Sequence, residues 1–140
     1  MEKIKKQIAE HLGIEVLPIK FESIEDDSRL MIKEGYVSIN DKYIDNNYEI
    51  AKCITHEYRH AFQFFYASLM NDDLASYWRS ELANAKTSAD DGYYTQALEL
   101  DAFAFTKYYL EKYLGEVVIY PDEKYEEQIN MYIALHSSIM

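Results

Sequence analysis

A single cysteine, two prolines and four glycines are all that the 140 residues contain of these types. One cysteine excludes a disulfide framework and any zinc cluster built on thiolates. So little glycine and proline excludes a flexible or Pro-rich linker array. Basic residues are also scarce: 14 Lys and Arg stand against 25 Asp and Glu, a formal net charge of −11. Nucleic-acid binding requires clustered cations, so nucleic acid is excluded as an expected partner, and the same charge disfavours an anionic membrane surface. Long apolar runs are missing too. The longest nearly uncharged stretch, Ala61 to Met70, is shorter than the roughly 20 residues needed to span a bilayer. Met1-Glu2-Lys3-Ile4-Lys5-Lys6 is charged but no apolar segment follows it. No signal peptide is visible, and the expectation is a soluble cytoplasmic protein.

What is present supports a folded core. Hydrophobic residues make up 49% of the chain, too many for a disordered segment, and the length predicts one domain over residues 1–140. Fourteen tyrosines supply amphipathic rings for a small core or a groove. Ile4, Ile8 and Leu12 predict a helix over 2–11, ended by Gly13. Val16–Phe21 reads as a strand, with Pro18 marking an edge position. The acidic run Glu22, Glu25, Asp26 and Asp27 reads as a solvated loop over 22–29 and lacks the spacing of a calcium loop. Tyr36–Ile39 is a second strand candidate and Tyr43-Ile44 a short third.

Asp45-Asn46-Asn47 predicts the cap of a long helix to about Met70, with Ile50, Ile54, Tyr58, Ala61, Phe65 and Leu69 as its apolar stripe. Asn71-Asp72-Asp73 caps another helix to about Lys86, and 87–92 is a loop. A helix over about 95–114 is stopped by Gly115, Val117–Tyr120 is extended, and Pro121-Asp122 opens a last helix. Early strands and late helices make the fold class α+β.

The chemistry concentrates in His56-Glu57-Tyr58-Arg59-His60. At 3.6 residues per turn the two histidines lie nearly one above the other and can reach one metal ion. Imidazole nitrogen suits Zn²⁺, one ion per chain. Glu57 is placed to reach a metal-bound water without ligating the metal, so it is the candidate general base for hydroxide attack on an amide carbonyl. Tyr58 points away from this face into the core stripe.

A catalytic zinc uses three protein ligands and one open position. Ala61-Phe62-Gln63-Phe64-Phe65-Tyr66 offers no third histidine, and His11 and His136 stand alone near the termini. A third protein ligand, if the site has one, must then be a carboxylate. Gln96–Phe105 is helical and apolar yet carries Glu99 and Asp101. A carboxylate buried there unpaired costs several kcal/mol, which metal ligation offsets. Glu99 shares a face with the small Ala102, and Asp101 lies about 200° round the helix from it. Glu99 is the favoured ligand, and Asp101 an acceptor behind the ligands or a structural one. Arg59 is a candidate partner for Asp101 or for an acidic loop. Cys53, three residues before His56, reads as a small buried hydrophobe, with zinc ligation or latency as the other reading.

HExxH followed by a downstream helical glutamate resembles the gluzincin group of zinc metallopeptidases, and the short chain resembles its minimal members, the minigluzincins. Glu99-Leu100-Asp101-Ala102-Phe103-Ala104-Phe105 is also similar to the E-x-x-A-x-x-F helix of short metallopeptidases of bacteria and mobile elements. Residue 103 is Phe where many of those helices have Asn. By position, His56 and His60 match the histidine ligands, Glu57 the base and Glu99 the glutamate ligand. The resemblance implies a zincin-like fold, a small twisted mixed sheet packed on an active-site helix, with a helical C-terminal half. It also implies a peptide or protein substrate bound by strand addition, for which Tyr36–Asn40 and Tyr43-Ile44 are the candidate edges. An oxyanion-stabilising Tyr or His is implied as well, with Tyr93 and Tyr94 as candidates.

The alternative from another class is a non-catalytic peptide-binding protein on the same scaffold. Glu57 favours the enzyme, because a pure binder has no use for the base. A di-iron helical bundle needs a second E-x-x-H, and the residues three before His136 and His11 are Ile133 and Ile8, which excludes it.

Overall fold

The structure, a computed structural model, describes residues 1–84, 96–120 and 123–140. It is a mixed α+β arrangement, mostly helical. In chain order come α1 (Glu2–Leu12), β1 (Ile19–Glu22), β2 (Ser28–Met31), β3 (Tyr36–Asn40), a 3₁₀ turn (Asp41–Tyr43), α2 (Asn47–Leu69), α3 (Asp73–Ala83), α4 (Ala97–Tyr113) and α5 (Glu123–His136), then a 3₁₀ turn (Ser137–Ile139). The backbone divides into two compact units, Met1–Phe62 and Gln63–Met140. Among the described residues, no helix is long and apolar enough to cross a membrane.

In the first unit α1 ends where Gly13 takes φ 71°, letting its N–H reach the carbonyls of Ala9 and Glu10. That left-handed geometry carries no Cβ penalty in glycine. The sheet order is β1-β3-β2, with β1 parallel and β2 antiparallel to β3. β1 is an edge strand, in keeping with Pro18 just before it. β3 is central, and Val37 to Asn40 are all buried. Val37 and Ile39 join Ile8, Ala9, Leu12, Ile50, Ile54, Tyr58 and Ala61 as core side chains of this unit.

Three local expectations fail here. Residues 22–29 are not all loop, because Ser28 opens β2. Ser-Arg-Leu-Met has no β-branched residue to announce a strand. Pairing with β3 creates it, through a turn that Gly35 closes at φ 78° with its N–H on the Met31 carbonyl. Tyr43-Ile44 is no strand: the chain coils at Asp41–Tyr43 because the Asn40 side chain accepts from the Lys42 N–H. Asn40 also donates Nδ2 to the Ile24 and Asp26 carbonyls at 2.8 and 3.2 Å, so one amide organises the acidic loop. Finally, Tyr36–Asn40 is bonded on both sides and cannot accept an added strand. The sheet edges among the described residues are β1 and β2.

Asn46 caps α2, its side chain accepting from the Glu49 N–H at 3.1 Å. The apolar stripe of α2 holds from Ile50 to Ala61, but Phe65 and Leu69 are 38% and 78% exposed. In that last stretch the buried positions are Gln63 and Ala67. Polar anchoring replaces the apolar pattern there. Arg79 donates to the Ala67 and Met70 carbonyls at 2.7 and 3.0 Å, satisfying acceptors that the helix end leaves open.

The second unit is helical. Asp72 caps α3 by accepting from the Ala75 N–H at 2.8 Å and also accepts from the Tyr66 hydroxyl. Asp101 on α4 is fully buried and bound on both oxygens. Gln63 donates to Oδ2 at 2.7 Å and Tyr132 of α5 donates to Oδ1 at 2.7 Å. Gln63 also donates to the Leu98 carbonyl at 2.9 Å. Each donor left without its acceptor costs about 1–3 kcal/mol. Asp101→Ala should therefore destabilise the protein by about 3 kcal/mol in chemical denaturation, and Asp101→Asn, which keeps one acceptor oxygen, by less. Equal stability of Asp101→Ala and wild type would deny the carboxylate this structural part.

Candidate metal and catalytic site

Within α2 the motif residues divide by face. Tyr58 and Arg59 are fully buried, while His56 and His60 are half-buried. The Tyr58 hydroxyl donates to the Leu17 carbonyl at 2.6 Å and accepts from the Leu17 N–H at 3.0 Å. Burial pushes that hydroxyl up to about 12, so it stays a donor throughout the neutral range. The Arg59 guanidinium lies over the Phe62 ring at 4.7 Å from its centroid, a cation–π contact within the same helix. These two inward side chains hold the rotation of the helix, and the opposite face then carries the histidines.

There the two rings meet edge to face, with centroids 4.7 Å apart and an interplanar angle of 84°. The Nε2 atoms are 3.1 Å apart. A ring N–H on one nitrogen makes this a hydrogen bond; lone pairs on both make it a pair of ligands aimed at one cation. Glu57 is 5% exposed, and one ligand atom from each of His56, Glu57 and His60 lies within 4.8 Å of the others. Such a group could hold a metal ion.

Glu57 is itself held. The Ser28 hydroxyl at the start of β2 donates to Glu57 Oε2 at 2.7 Å. Sequence reasoning does not find Ser28, since nothing in a hydroxyl 29 positions away marks it as a partner. Cys53 is buried, with its sulfur 3.9 Å from the Asp27 carbonyl. Burial pushes the thiol up to about 12, so at neutral pH it is a protonated hydrophobe.

The remaining sequence-predicted residues lie elsewhere in the chain. Glu99 is 7% exposed on the first turn of α4, in the second unit. Asp101 follows it, engaged by Gln63 and Tyr132. Tyr93 and Tyr94, and the predicted loop 87–92, fall outside the described residues. No protein-family model, curated protein or solved structure matches the chain.

Proposed function

We propose that the protein is a zinc-dependent peptidase of gluzincin type on a zincin-like fold. The observation that carries this is the approach of two imidazole nitrogens to 3.1 Å beside a nearly buried carboxylate. Two nitrogens bound to one zinc at about 2.0–2.1 Å and a tetrahedral angle stand about 3.3–3.4 Å apart. His56 and His60 thus need to part by only a few tenths of an ångström. They would hold the ion with Glu99 as third ligand, since a buried carboxylate on an apolar helix suits a cation. Bound zinc supplies Lewis acidity and lowers the pKa of water towards about 7. Glu57 accepts the proton of the attacking water at a carboxylate oxygen and returns it to the leaving amine. A peptide in extended form adds to the edge of β2, the strand whose Ser28 touches Glu57.

The test is metal content of the purified protein by mass spectrometry, with cleavage of a peptide library. One zinc per chain and metal-dependent cleavage are expected, and Glu99→Ala should lose both. Zinc without cleavage of any peptide would favour a non-catalytic peptide-binding protein. A chain that takes up no zinc, or Glu99→Ala fully loaded, would overturn the ligand set.

A further inference from the structure

We infer that Ser28 is a positioning residue that fixes the rotation of the Glu57 carboxylate so that one oxygen is tied and the other is presented for proton transfer; this rests on the peptidase reading. The Ser28 hydroxyl donates to Oε2 at 2.7 Å. Among the described residues Oε1 accepts no hydrogen bond. The last torsion of a glutamate is broad and roughly two-fold, so an untethered carboxylate turns freely between orientations. A tether is only as good as its own support, and Ser28 is supported by backbone. It pairs with Ile39 of the central strand, and the preceding Asp27 carbonyl accepts from the Asn40 N–H at 2.8 Å. Asn40 is the residue that also organises the acidic loop. The donor is therefore carried by the sheet and the acceptor by α2, so the contact joins two elements at the base.

The experiment compares Ser28→Ala and Ser28→Thr with wild type. Ser28→Ala should keep its zinc and its KM while kcat falls by about 10–100-fold, the range for a group that orients a site residue from behind. Ser28→Thr keeps the hydroxyl and suits a strand, so it should recover most of the loss. A merely structural role would not produce that kcat-only loss with hydroxyl-dependent rescue. A second measurement needs neither metal nor substrate: the infrared carboxylate band of Glu57, isolated by difference against Glu57→Gln, should shift in Ser28→Ala and stay in Ser28→Thr. If Ser28→Ala does not fold, Ser28→Cys offers a similar shape with a weak donor. Unchanged kcat in a folded, zinc-loaded Ser28→Ala overturns the inference, as does an unmoved band. A wild type that cleaves nothing ends the peptidase reading instead, and the infrared comparison then still decides whether Ser28 holds the carboxylate.

Discussion

On the proposed peptidase reading, Glu57→Gln is expected to bind zinc like the wild type and to lose about 10²–10⁴-fold in turnover, the range that general-base catalysis contributes. The substitution keeps shape and volume. It keeps an oxygen for the Ser28 hydroxyl, which donates to Oε2 at 2.7 Å in the native protein. What it removes is the ability to accept a proton from water. Because Glu57 is 5% exposed, bulk water is poorly placed to substitute for it. The decisive comparison is zinc by mass spectrometry beside kcat on the best peptide from the library. Full activity with full zinc would mean another base acts. Loss of zinc in Glu57→Gln would mean that the carboxylate is a ligand, and the roles of Glu57 and Glu99 would need to be exchanged.

The second large effect is on metal affinity. His60→Ala removes one of two nitrogens that stand 3.1 Å apart and one of three proposed protein ligands. Zinc affinity, read by competition with a chromophoric chelator, should fall by orders of magnitude, and activity should fall with it. The fold should survive, since His60 is half-buried and the neighbouring anchors Tyr58 and Arg59 are the fully buried members of the motif. Wild-type zinc affinity in His60→Ala would remove His60 from the ligand set. Unfolding of His60→Ala without added metal would instead reveal the ring as a core element.

What was legible in the sequence was local. Four-residue spacing on one helix brings His56 to His60, and short-range hydrogen bonding places the caps at Asn46 and Asp72. Among the described residues, the five α-helices and the central strand follow from period and punctuation. What was not legible depends on distant partners. β2 is made by pairing rather than by propensity, and Ser28 meets Glu57 across 29 positions. Gln63 meets Asp101 across 38 positions, which turns the buried face of α2 away from Phe65 and Leu69. Arg59 is fully buried, against the general habit of arginine, and no charge pattern announces it. Tyr43 sits beside a side chain that accepts from the backbone, and such a local hydrogen bond outcompetes a weak strand tendency.

The hydroxyl of Tyr58, clamped between the N–H and the carbonyl of Leu17, acts as a keyway for the shaft that carries the site. Side-chain tips ride about 5–6 Å from a helix axis. A turn of only about 5° about that axis carries a tip about 0.5 Å, the tolerance within which a catalytic constellation must be held. The two fully buried residues that hold this angle, Tyr58 and Arg59, occupy the motif's two unspecified positions. In this protein the pattern is a five-letter word, and one of its unspecified letters is bonded to a segment 41 positions upstream.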